Sequence, residues 1–334
     1  MNTVKSWVIG TLFALALGSA GCSTPSSPTP QPPPPPTAGP PLLSCGEGVS
    51  RATVDATGVA VSFDLPPVTA GEGTVTVTCT PASGENFPIG TTSVTCKATD
   101  SLSRTAECAF PVTVSKLAQL SRTKYLAFGD SITAGEVTFP IGSQSHGAGT
   151  ITKQVVVPGA DYPSVLQRTL QGRYSSQSSS ISVTNSGLGG EKAINARDRF
   201  FAALNNVRPE VVLLWHGHND IPGGLDGAAS GAASEMRIMV SEARNRGMRV
   251  FVATMLPPRP NGNRTISQVF IDDYNNRMRD LAAREGAVLV DMYAALLPEV
   301  TRYIGVDGLH PTEAGYVKIA DIFFQAIQSN FEVR

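Results

Sequence analysis

From Lys124 onward the chain repeats one unit, a short apolar run followed by a Gly- or Asp-containing break and then an amphipathic stretch. YLAF (125–128), ISVTN (181–185), VVLLWHG (211–217), RVFVATM (249–255) and AVLVDM (287–292) are apolar at consecutive positions. That is the pattern of strands buried on both faces. Between and after them lie helical stretches at 162–171, 192–206, 233–246, 267–285 and 313–331. Strand–helix alternation predicts a parallel sheet covered by helices on both sides, a three-layer α/β/α domain. Ligands of such sheets sit beyond the carboxyl ends of the strands. Residues that carry chemistry should therefore follow the strands directly.

They do. Gly129, Asp130 and Ser131 follow the first strand; Asn185, Gly187 and Gly190 follow the second; Gly217, His218, Asn219 and Asp220 follow the third; DGLHP (307–311) precedes the last helix. Ester hydrolysis needs a nucleophile, a base, a group that orients the base, and donors for the oxyanion. Ser131 ends a buried strand and begins a helical run, so its hydroxyl projects over the sheet edge and its N–H lies at a helix start. The chain has four histidines, at 146, 216, 218 and 310. His310 stands three residues after Asp307 in a Gly-containing turn stopped by Pro311, so the carboxylate can reach Nδ1 and leave Nε2 free for Ser131. Gly190 can bring a backbone N–H close because no Cβ obstructs it, and Asn219 can donate its amide. One such donor is worth about 3–4 kcal/mol in the transition state. Each piece has a plainer reading alone: a capping Ser, a surface Asp–His pair, a tight turn, a strand-end cap. Their shared position is what argues for a site.

His216 and His218 form an HxH, but no third ligand with fitting spacing is apparent, and a metal is not expected. His218 is expected to line the pocket and His216 to pack in the strand. Asp130 and Asp220 are expected to accept backbone hydrogen bonds. The stretch from Glu136 to Asp161 reads as a long Gly- and Pro-punctuated loop roofing the acyl pocket. PPRPNGNR (257–264) reads as a second wall.

GDSI, NxGxxG, GHND and DGLHP, in that order, resemble the four blocks of the SGNH hydrolases, or GDSL esterase/lipase family, over about 122–330. The resemblance implies a flavodoxin-like five-stranded parallel sheet, Ser131 as nucleophile, His310 as base and Asp307 orienting it. It also implies an oxyanion hole of the Ser131 and Gly190 N–H groups and the Asn219 side chain, with no metal and no organic cofactor. The implied activity is that of a serine esterase acting on a small ester or an acylated glycan or lipid. Deacetylation of carbohydrate esters is one form; lysophospholipid or thioester cleavage is the alternative.

The N-terminal part has a different character. Lys5 followed by WVIGTLFALALG (7–18) reads as a signal peptide over 1–21, too short to span a bilayer. SAGC resembles the bacterial lipobox, with Ser19 where Leu is usual; it implies a lipidated Cys22, a membrane anchor facing the periplasm or the cell exterior. Ordinary cleavage after Ala20 would also export the chain. Residues 22–41 are a Pro-rich tether that has too few apolar side chains to fold. Over 42–118, VAVSFDL, TVTVTC, TSVTCKA and CAFPVTV predict an all-β immunoglobulin-like sandwich. FPIGTTSVTCKATDSLSRTAECAFPVTV (87–114) resembles the hyalin-repeat (HYR) domain. Of five cysteines, Cys45, Cys79, Cys96 and Cys108 cluster here, leaving Cys22 odd. Spacing leaves three pairings open; the resemblance implies Cys79–Cys96 and Cys45–Cys108. The hydrolase-like domain then covers 119–334. A competing reading has the HYR-like domain binding a cell-surface or glycan partner beside an inert hydrolase domain. With 26 Lys+Arg against 27 Asp+Glu and no basic stripe, nucleic acid is not an expected partner.

Overall fold

The computed structural model describes residues 38–143, 150–221 and 227–333. The signal peptide, Cys22, most of the tether and His146 lie outside them.

Five parallel strands, Lys124–Gly129, Ser182–Gly187, Val211–Trp215, Arg249–Ala253 and Val288–Val290, form one sheet. Numbered along the chain, their spatial order is 2-1-3-4-5, the flavodoxin-like order, whose reversal lies beside strand 1. Successive side chains of a strand point to opposite faces. Tyr125, Ala127, Leu213, Trp215 and Phe251 therefore pack under the helices Tyr162–Arg173 and Glu313–Phe331. Leu126, Phe128, Val212, Leu214 and Val252 pack under Arg197–Val207, Ala228–Asn245 and Gln268–Glu285. Two apolar cores explain why the strand sequences are unbroken runs rather than alternating ones.

Two elements differ from the sequence reading. The helix begun by Ser131 is a single turn, Ser131–Ala134, ended by Gly135 at φ 93°. Its dipole is correspondingly short, and the turn itself aims the Ser131 N–H. The expected loop after it is an antiparallel hairpin, Glu136–Ser143 paired with Thr150–Val156, with a register shift between Pro140 and Gly142. Glu-Val-Thr-Phe and Thr-Ile-Thr-Lys-Gln-Val-Val are rich in β-branched residues, a signal that the Gly and Pro of the same segment obscure.

Residues 42–116 form the strand-rich domain. Its main sheet runs in the order Val49–Thr53, Thr105–Lys116, Gly90–Thr99, Thr76–Thr80, over a core of Val61, Phe87, Val94, Phe110, Val112 and Val114. Cys79 and Cys96 are directly opposed on neighbouring strands and bonded; Cys45 is bonded to Cys108. The outer bridge joins residues 63 apart, so closing it is worth about 4 kcal/mol in the chain-entropy model. Replacing Cys45 and Cys108 together by Ala is expected to remove about that much from this domain and leave the α/β domain's unfolding in place. Scanning calorimetry of the full chain checks this; a downward shift of both transitions would contradict it.

Candidate active site

The sheet brings the strand-end clusters to one edge. Gly129 ends the central strand where there is no room for a side chain: a Cβ there would lie 2.1 Å from Thr133 Oγ1 and 2.3 Å from the Trp215 carbonyl. Gly187, its parallel partner, is equally confined, with the Ala134 nitrogen 2.1 Å from a built Cβ. These two glycines let the turn Ser131–Ala134 settle directly on the sheet. Asp130 caps that turn, Oδ1 accepting from Ile132 N at 3.0 Å, and Ser131 follows it.

Ser131 Oγ lies 2.9 Å from His310 Nε2, and His310 Nδ1 lies 2.6 Å from Asp307 Oδ2. Asp307 Oδ1 also accepts from the Leu309 and His310 N–H groups at 3.1 Å each. Burial alone would push the Asp307 carboxyl up. The His310 ring and the two backbone donors outweigh it and hold the carboxyl below the usual range. An ionised Asp307 fixes the Nδ1–H tautomer and leaves Nε2 to accept from Ser131. The loop PPRPNGNR backs this carboxylate: Arg264 N donates to the Asp307 carbonyl at 2.7 Å, and a Cβ on Gly262 would meet the Asp307 backbone at 2.3 Å.

The N–H groups of Ser131 and Gly190 make no hydrogen bond among the described residues. Gly190 has φ +74° and open space where a Cβ would lie. The left-handed backbone there favours glycine, and no side chain of its own stands over its N–H. Asn219 Nδ2 donates one hydrogen to the Glu191 carbonyl at 3.0 Å, which leaves its second free.

Asp220 accepts from the Ala193 and Ile194 N–H groups at 2.8 and 3.3 Å. Asp130 does more than cap its turn. Its Oδ2 lies 3.1 Å from His218 Nδ1, and the His218 and His216 rings and the Ile132 N–H overcome burial to keep the Asp130 carboxyl low. The contact ties the turn Ser131–Ala134 to the turn bearing Asn219, and the His218 side chain is buried there. The two rings of the HxH face different carboxylates, since His216 Nε2 lies 3.0 Å from Glu191 Oε2, without hydrogen-bond geometry.

Glu191 and Arg199 carry a larger share of the site than their sequence positions suggest. Arg199 Nε donates to Glu191 Oε1 at 2.7 Å, and Nη2 bonds Oε2. The same guanidinium donates to the Gly129 carbonyl at 3.1 Å and the Ser186 carbonyl at 2.8 Å, and stacks 4.0 Å over Phe128. One arginine thus clamps the ends of strands 1 and 2 to the loop bearing Gly190. Nothing at a strand end marked it, because Arg199 sits in a helix and meets its partners only through the fold.

A family model described as the GDSL-like lipase/acylhydrolase family matches residues 127–318, and the HYR domain matches 37–114. No curated protein is significantly similar to the chain. Among solved structures, a lipase/acylhydrolase from Enterococcus faecalis is 19% identical, covering 63% of this chain and 97% of its own, with a TM-score of 0.48. An acetylxylan esterase from Geobacillus stearothermophilus is 20% identical, covering 62% and 95%, with a TM-score of 0.47.

Burial opposes ionisation of Glu191, but the His216 and Arg199 contacts prevail and lower its carboxyl. A lowered folded-state value adds stability above the unfolded carboxylate value of about 4.3, lost as pH falls through the folded value. Arg199→Ala is therefore expected to cost about 2 kcal/mol at neutral pH, the scale of lost hydrogen bonds to a charged group in a partly buried pair, and less near pH 3.5. Thermal unfolding at the two pH values checks this; an equal penalty at both would contradict it.

Proposed function

The chain belongs to the GDSL-like lipase/acylhydrolase family and is an ester hydrolase; we propose that it is a serine esterase working through Ser131, His310 and Asp307. The observation that carries this reading is the continuous contact line from Asp307 through His310 to Ser131 Oγ, at 2.6 and 2.9 Å. Ser131 Oγ attacks the ester carbonyl while His310 Nε2 takes its proton. The carbonyl π pair moves onto oxygen, which accepts from the Ser131 and Gly190 N–H groups and Asn219 Nδ2. As the tetrahedral centre collapses, its bond to the alcohol oxygen breaks and His310 returns the proton to that oxygen. Water, activated by the same histidine, then attacks the acyl-enzyme and releases the acid. Asp307 holds the ring's tautomer throughout and stays ionised.

The site would work outside the cytoplasm. The apolar N-terminal run, the lipobox-like SAGC and the Pro-rich stretch favour an exported lipoprotein, held by a lipid on Cys22, with the HYR domain between tether and enzyme.

Ser131→Ala is expected to abolish hydrolysis of p-nitrophenyl acetate, and Asp307→Asn to lower kcat by roughly four orders of magnitude, as loss of the correct tautomer does in other serine hydrolases. Unchanged turnover in the Ser131 variant would refute the assignment. Mass spectrometry of the mature protein is expected to find a diacylglycerol adduct on Cys22; an unmodified amino terminus at Gly21 would rule out the anchor.

A further inference from the structure

Ser131 and His310 are only 2% and 0% exposed, and the side chains that cover the reactive edge of the histidine are polar. Gln154 Nε2 lies 3.1 Å from His310 Nε2, the nitrogen that also meets Ser131 Oγ. The same amide nitrogen bonds the Glu136 carboxylate, whose Oε2 is 4.0 Å from His310 Nε2. Arg264 Nη1 donates to Gln154 Oε1 at 3.2 Å. Thr138 faces Gln154 across the hairpin, and Glu136 lies two residues before Thr138, so Glu136 and Gln154 share one face. That face is turned to the catalytic histidine.

We propose that Glu136, Gln154 and Arg264 form the alcohol-binding subsite, and that the alcohol they take is polyhydroxylated, a sugar unit carrying the acyl group. The inference rests on the proposed role of His310. When the tetrahedral centre collapses, the C–O bond to the alcohol breaks and the proton on Nε2 passes to the alcohol oxygen. That oxygen must then lie within hydrogen-bond reach of Nε2, where the Gln154 amide now stands. The substrate has to replace or share the hydrogen bonds of this cluster.

The cluster offers an acceptor in Glu136, a donor and an acceptor in Gln154, and a donor in Arg264. A ring with neighbouring hydroxyls, each donor and acceptor, exchanges with it bond for bond. An alkyl alcohol displaces the same contacts and returns none. A phosphorylated alcohol sets an anion against Glu136. Sites built to pair with a substrate hydroxyl discriminate strongly against analogues that lack it.

The test keeps the acyl group constant and varies the alcohol, using the full chain with an O-acetylated methyl glycoside, hexyl acetate and an acetylated glycerol phosphate. The wild type is expected to favour the glycoside in kcat/KM. In Gln154→Ala and Glu136→Gln, the glycoside-to-hexyl ratio is expected to fall by about tenfold or more, mainly through KM. Arg264→Ala, which removes one donor of the cluster and the group that orients the Gln154 amide, is expected to lower the ratio as well, but less, because Arg264 does not touch His310. Thermal unfolding and fluorophosphonate labelling of each variant separate a lost subsite from a lost fold. An unchanged ratio in both hairpin variants, or a wild-type preference for the hexyl or phosphorylated ester, overturns the subsite and leaves the triad standing. Failure of the probe to label wild-type Ser131 overturns both.

Discussion

The chemistry of this molecule depends on how closely the chain can approach itself at the end of one strand. Lys124–Gly129 is paired on both sides, and at Gly129 and Gly187 a built Cβ would collide with the neighbouring turn. Only with hydrogen at these positions does the turn Ser131–Ala134 lie flat on the sheet edge at the point where strand order reverses. The DGLHP turn brings His310 to Ser131, and the Gly190 and Asn219 turns follow the two strands that flank strand 1. The two apolar cores fix the strands, and the strands fix where those turns begin.

What the sheet places roughly, buried polar contacts hold in register. Asp130–His218 joins the nucleophile turn to the Asn219 turn, and Arg199–Glu191 joins two strand ends to the Gly190 loop. Such pairs add little net stability once desolvation is counted. Their effect is geometric, because a donor displaced by about 1 Å loses much of its value to a developing oxyanion. Asp307 follows the same logic: two backbone N–H groups of its own turn set the carboxylate, and its other oxygen meets the ring. Outside this rigid set lies the hairpin with Glu136 and Gln154, which touches the base without belonging to the sheet.

The strands and the strand-end clusters were legible because each depends on local pattern: an apolar run, then Gly, Asp, Asn or His. The structure brings Ser131, Asp307 and His310 within hydrogen-bond distance, and sets Gly190 and Asn219 on the same edge. Less legible were contacts that arise only after folding. Arg199 lies in the first turn of its helix, and its partners at Gly129, Ser186 and Glu191 come from two strand ends and the loop after the second. The hairpin was hidden because Pro140 and Gly142, which sit at its register shift, mimic loop composition. At Gly190 the sequence marked the residue but not its positive φ, which depends on how the loop after strand 2 closes.

In the proposed mechanism Asp307 and His310 activate one hydroxyl, that of Ser131. Reacting the full chain with a fluorophosphonate and mapping the adduct by peptide mass spectrometry puts this to the test. A single adduct on Ser131 is expected, formed at least roughly a hundredfold more slowly in His310→Ala, where the general base is lost. An adduct on another residue, or a rate on Ser131 indifferent to His310, would contradict it.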